Sequence, residues 1–161
     1  QCCLVGSEMC IRDSPIAEKI KCKIAIENHF AFPSTRMANI IKLVDHEYLG
    51  ACLDVANSIC AGEWPDETID CLAEHTINLH IKDYQFKLDP YGVGFCIEGA
   101  PMGDGLTNTQ SLLSKFIDTE ISVIYEHWLP WPGNFEDAKM NEDKWTAESI
   151  VYLKSLTSHS V

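Results

Sequence analysis

Cys22–Glu27 (CKIAIE), Gly50–Asp54 (GACLD), Thr76–His80 (TINLH) and Ile121–Glu126 (ISVIYE) are four short apolar runs, and each closes on an acidic or imidazole side chain. A helical pattern follows every one. Near-continuously apolar strands are buried on both faces, which happens when parallel strands are covered by helices. The alternation therefore predicts an α/β fold with parallel pairing. In a barrel of that kind chemistry collects at the C-terminal strand ends, where Glu27, Asp54, His80 and Glu126 all stand.

Outward from these runs, Pro15–Lys21 reads as the tail of a helix. Ser34 is placed to cap a helix to about His46, with Met37, Ile40, Ile41 and Val44 on one face. Pro65 opens a helix to about Glu74. The glycine-rich stretch Ile81–Leu106 is the longest connection, within which Phe86 and Lys87 are expected to pair with Gly94–Ile97 as a small hairpin. Its glycines match no phosphate-binding pattern and read as loop geometry. Thr107 or Asn108 caps a helix to about Asp118. The last helix, about Glu142–Leu156, carries Trp145, Ile150, Leu153 and Leu156 as its apolar stripe.

The chain has 161 residues, against ~250 for a complete (β/α)8 barrel. The expectation is thus the C-terminal half, about strands five to eight, of a TIM barrel. Gln1–Ser14 (QCCLVGSEMCIRDS) shows neither strand nor helical periodicity and resembles translated sequencing-adapter read-through. Residues 1–14 are accordingly expected to be a non-native leader, and 15–161 the partial barrel domain. A net charge of -12 with no basic cluster argues against nucleic-acid partners. Cys22, Cys52, Cys60, Cys71 and Cys96 show no CxxC spacing, which predicts reduced, buried thiols of a cytoplasmic protein. No apolar run reaches the ~18 residues of a membrane span, so no membrane partner is expected.

Strand side chains alternate faces, so Ala25, Glu27 and His29 share one side, as do Cys52 and Asp54, Asn78, His80 and Lys82, and Ile124, Glu126 and Trp128. With those sides inward, the four candidate ligands meet. Carboxylates with one imidazole suit one divalent ion, Mn2+, Mg2+, Co2+ or Zn2+, and the lack of thiolates argues against a closed structural zinc site. Asp83, already past the strand, reads as structural.

The words IENH (26–29), CLDVAN (52–57), NLHIKDY (78–84), GVGF (92–95), APMGDG (100–105) and YEHW (125–128) make the chain resemble the sugar phosphate isomerase/epimerase family of xylose isomerase-like TIM barrels. The resemblance implies that Glu27, Asp54, His80 and Glu126 hold one divalent metal and that Glu27 and Glu126 are the acid/base pair. It implies an isomerase or epimerase of a small sugar or sugar acid, moving a proton next to a carbonyl through an enediolate. A metal-dependent decarboxylase or dehydratase of an oxo-sugar acid is the alternative, since the YEHWLPWP segment is similar to members of that kind. His29, Asn57, Lys82 and Trp128 are expected to meet the substrate, Asn57 through a sugar hydroxyl and Lys82 through a carboxylate or phosphate. Asn57 stands where many ketose epimerases and the endonuclease IV branch have histidine, which weakens a multi-zinc DNA-repair reading. A half barrel has open sheet edges, so an inactive fragment that needs its other half, or a homo-oligomer that closes the barrel, is the reading of another class.

Overall fold

The computed structural model describes residues 2–157. Gln1 of the expected leader and residues 158–161 of the expected barrel domain lie outside the described residues. The order is α1 (Cys2–Ile20), β1 (Ile24–Glu27), α2 (Ser34–Val44), β2 (Leu49–Asp54), α3 (Pro65–Leu72), β3 (Thr76–Ile81), β4 (Asp83–Leu88), β5 (Phe95–Ala100), α4 (Thr109–Ser114), β6 (Ser122–Tyr125) and α5 (Phe135–Thr157). The chain divides into two compact units, one running to His80 and including Thr119–Ile124, the other comprising Ile81–Asp118 and the chain from Tyr125.

In the first unit the expected α/β pattern is present, with a sheet ordered β1-β2-β3-β6. β1 and β2 pair in parallel from Ile24↔Leu49 to Glu27↔Cys52, and β2 and β3 pair in parallel up to Asp54↔His80. β2 is buried along its whole length, as its apolar run requires when both faces are covered. Met37, Ile40 and Ile41 of α2 and Ile69 and Leu72 of α3 supply buried helical faces. Cys10, Ile40 and Leu49 form a core cluster ringed by Ile24, Ile26, Phe32 and Val44.

Three expectations change here. Residues 2–14 are not irregular, because α1 continues through Pro15 to Ile20 and buries Cys10, Ser14 and Ala17. Those residues recur at helical spacing, but they are small or polar and form no hydropathic stripe. Ser34 does not cap α2. It is the first helical residue behind Pro33, and its N–H donates to the Glu63 carboxylate at 2.9 and 3.1 Å. A carboxylate there satisfies a terminal donor and favours the helix dipole. The cysteines are also not uniformly buried: Cys10 and Cys52 are, whereas Cys22, Cys60 and Cys96 are exposed free thiols.

In the second unit the hairpin is longer than expected, β4 pairing antiparallel with β5 from Asp83↔Ala100 to Leu88↔Phe95. Asn108 is the cap of α4, its side chain accepting from the Ser111 N–H at 3.1 Å. α5 begins earlier than its apolar stripe, and its buried position is Ser149 while Ile150 is 41% exposed. Ser149 Oγ donates to the Tyr125 hydroxyl at 2.8 Å and accepts from the Met102 N–H at 2.9 Å. A buried hydroxyl with both partners carries little desolvation cost. No helix among the described residues is long and apolar enough to cross a membrane.

Candidate metal centre

The end of β1 is tied to the end of β2 by Asn28, which is fully buried. Its Oδ1 accepts from the Asp54 N–H at 2.7 Å, and its Nδ2 donates to the Asp54 carbonyl at 2.8 Å and to Ser58 Oγ at 2.9 Å. An amide side chain offers the same donor and acceptor as a peptide group. Asn28 therefore extends the β1–β2 ladder one step past Glu27↔Cys52.

Asp54, also fully buried, is oriented locally. Its Oδ1 accepts from the N–H groups of Ala56 and Asn57 at 2.9 and 3.0 Å, a turn closed by an aspartate on the backbone just beyond it. Asn57 Nδ2 in turn donates to Glu27 Oε1 at 2.9 Å and to the Asn28 carbonyl at 3.1 Å. His80 Nδ1 lies 3.7 Å from Glu27 Oε1, with side-chain exposures of 14% and 36%. Glu27, Asp54 and His80 thus offer one ligand atom each, all within 4.8 Å of one another. Ligands 2.0–2.2 Å from one ion stand at most about 4.4 Å apart, so small side-chain adjustments suffice to share a cation. Two hard oxygen donors and one imidazole fit Mn2+, Mg2+, Co2+ or Zn2+.

The second unit holds further polar side chains. Glu126 directly follows β6, and its N–H donates to the Ile81 carbonyl at 2.9 Å. Its Oε2 accepts from Lys82 Nζ at 3.0 Å, and that ammonium stands 5.0 Å from the centre of the Trp128 ring, a distance at which the ring face attracts a cation. Next in the chain, the buried Asp83 collects four backbone donors. Oδ1 accepts from Tyr84 and Thr107 at 3.0 and 2.9 Å, and Oδ2 accepts from Gly103 and Gly105 at 2.9 Å each. Thr107 Oγ1 donates to the Lys82 carbonyl at 2.8 Å. A Cβ on Gly105 would fall 2.3 Å from Asp83 Oδ1, so the glycine is required by the closeness of the carboxylate. Burial pushes the Tyr125 hydroxyl pKa up and negative Asp83 adds to it, while the Ser149 hydrogen bond acts the other way.

Of the residues anticipated at the site, Glu27, Asp54, His80 and Asn57 come together in the first unit, and Lys82, Glu126 and Trp128 in the second. His29 joins neither group. β1 ends at Glu27, so strand alternation does not reach His29, which is exposed in the following loop with its ring 4.3 Å from that of Phe30. Asn57, expected to meet a sugar hydroxyl, directs its amide donors to Glu27 and Asn28. Strand alternation does not mark Asn28, because it puts that residue on the face opposite Glu27, although IENH contains it. Asp83 lies past the strand, as the sequence suggests, but its partners 20 to 24 residues away leave no signal in the sequence beyond the glycines they include.

Residues 11–156 match the family described as xylose isomerase-like TIM barrel. In sequence, the chain is 34% identical over 141 residues to a 3-oxo-isoapionate decarboxylase of Pectobacterium atrosepticum, covering 86% of this chain and 51% of that protein. In fold, it is similar to a xylose isomerase domain protein from Planctomyces limnophilus, with a TM-score of 0.70 and 18% identity over 93% of this chain and 50% of the other. A xylose isomerase-like TIM barrel protein from Mycobacterium smegmatis, solved in complex with magnesium, gives a TM-score of 0.67 and 17% identity over 91% and 50%. The chain spans about half the length of each of these proteins. The parallel strands, their covering helices and a family match over almost the whole chain agree: the protein belongs to the xylose isomerase-like TIM barrel family, as a partial barrel.

Proposed function

We propose that this chain forms part of a divalent-metal-dependent enzyme acting on a small sugar or sugar acid through an enediolate, as an isomerase or epimerase. The observation that carries the reading is the convergence of Glu27, Asp54 and His80 within 4.8 Å. Glu126 is assigned as the fourth ligand because it directly follows β6, the neighbour of β3 in the sheet, and because the family resemblance puts a ligand there. A bound divalent ion supplies Lewis acidity to a carbonyl and its adjacent hydroxyl, stabilising the charge that develops when the intervening C–H ionises. Glu27 and Glu126 act as the acid/base pair, one carboxylate taking the proton from carbon and the other returning one to it. Lys82 offers a positive charge to a substrate carboxylate, Trp128 an apolar wall to the sugar C–H face, and His29 a donor at the rim.

A second reading is decarboxylation of an oxo-sugar acid, favoured by the 34% identity to a 3-oxo-isoapionate decarboxylase. There the bond from the α-carbon to the carboxylate breaks, CO2 leaves, and the electron pair passes into the enolate. A protonated glutamate then returns a proton to that carbon.

The two readings separate in one experiment. The intact protein, loaded with Mn2+, is incubated in D2O with a panel of ketoses and of 3-oxo-sugar acids, followed by NMR and CO2 release. Deuterium at the carbon next to the carbonyl, with a new epimer or isomer, supports proton transfer. CO2 from the oxo acid alone supports decarboxylation. A metal-loaded protein that does neither overturns both.

A further inference from the structure

We propose that Asn57 is the positioning residue of the metal centre, holding the Glu27 and Asp54 carboxylates in a ligating arrangement, and that it does not contact substrate. The proposal rests on the metal reading above and assigns Asn57 a different task from the sugar-hydroxyl contact expected of it. Asn57 opens the 3-10 helix Asn57–Ala61 that follows β2 and is 2% exposed. Its amide nitrogen has two hydrogens, and both have acceptors, Glu27 Oε1 at 2.9 Å and the Asn28 carbonyl at 3.1 Å. The backbone N–H of the same residue donates to Asp54 Oδ1 at 3.0 Å. One residue therefore tethers two carboxylates that arrive on different strands.

Both partners of the amide nitrogen are acceptors, so the network itself requires the nitrogen, not the oxygen, to face Glu27. That orientation matters for a cation. A carboxylate with one oxygen tethered loses its terminal rotation, which is otherwise broad, and presents its other oxygen in a direction set by the protein. The donor is neutral, so it orients Glu27 without adding a charge that would oppose a divalent ion, as lysine or arginine at this place would. An amide NH2 group is also no metal ligand, so the nitrogen of Asn57 that faces Glu27 orients this carboxylate without coordinating an ion itself.

The test is Mn2+ binding to the intact protein, measured by calorimetry and by the electron paramagnetic resonance of free Mn2+. Outer partners of metal ligands typically change affinity by about 10–100-fold when removed, and that loss is expected for Asn57→Ala. Asn57→Leu keeps the branching of the side chain while removing the donors, so it decides the matter if the alanine variant does not fold. Cys60→Ala changes an exposed side chain of the same 3-10 helix, and its Mn2+ affinity should match the wild type. Unchanged affinity in a folded Asn57 variant, with binding lost in Glu27→Ala, would overturn the positioning role and leave the metal centre standing. No Mn2+ bound by the wild type would overturn both.

Discussion

Lys82 Nζ and Glu126 Oε2 stand 3.0 Å apart, yet the lysine side chain is 3% exposed and the glutamate 36%. The two ends of this ion pair therefore respond differently to losing the other. When Lys82 is removed, water can reach Glu126; when Glu126 is removed, a buried ammonium beside the Trp128 ring loses that carboxylate.

Lys82→Met should cost about 1.5–3 kcal/mol, the range for a hydrogen bond to a charged group. Glu126→Ala should cost more, because it takes a carboxylate partner from an ammonium that is buried, whereas Lys82→Met takes a partner from a carboxylate that water reaches. Urea denaturation of the two variants checks the order, and a larger loss for Lys82→Met would contradict it.

Asp83→Ala removes the acceptor of four backbone N–H groups, those of Tyr84, Gly103, Gly105 and Thr107. At ~1–3 kcal/mol for each donor that water does not recover, a loss of at least about 3 kcal/mol is expected. Asp83→Asn keeps one acceptor oxygen and should lose less. Hydrogen exchange should show protection lost at Gly103, Gly105 and Thr107 first.

Asn28→Ala removes two buried hydrogen bonds to the Asp54 backbone, one accepted from its N–H and one donated to its carbonyl. The loss of two buried hydrogen bonds predicts a destabilisation of about 2–4 kcal/mol. Asn28→Asp keeps the acceptor for the Asp54 N–H but cannot donate to its carbonyl, and the negative charge it brings beside Asp54 should make it no better than alanine. Chemical denaturation at neutral pH compares the three proteins.

Stability should fall at high pH on account of Tyr125. Its folded pKa is raised, by burial first and by Asp83 second, above the unfolded value of about 10. Between those values the unfolded chain binds fewer protons than the folded one, so stability declines as pH rises through that window and is fully present below it. Tyr125→Phe should flatten that part of the curve, and an equal decline in the variant would assign it elsewhere.

The strand ends were legible because the apolar runs are local and nearly continuous. β1 and β2 end on Glu27 and Asp54, and His80 is the penultimate residue of β3. Periodicity failed where burial falls on small or polar residues. Cys10, Ser14 and Ala17 line the inner face of α1, and Ser149 is the buried position of α5, so neither face shows as a hydrophobic stripe. Alternation likewise misled beyond β1, because His29 lies two residues past the point where the strand stops.

By itself the sequence determined the α/β alternation, the family and, to within one residue, where the four apolar strands end, since these depend on composition and order along the chain. Only the tertiary structure decided what the residues there hold. Asn57 reaches Glu27 across 30 positions, and Asp83 gathers Gly103, Gly105 and Thr107 from 20 to 24 positions away. A hydrogen bond is made at about 3 Å and depends on which backbone groups the packed chain brings within that reach, a relation that no repeat or spacing in the sequence records.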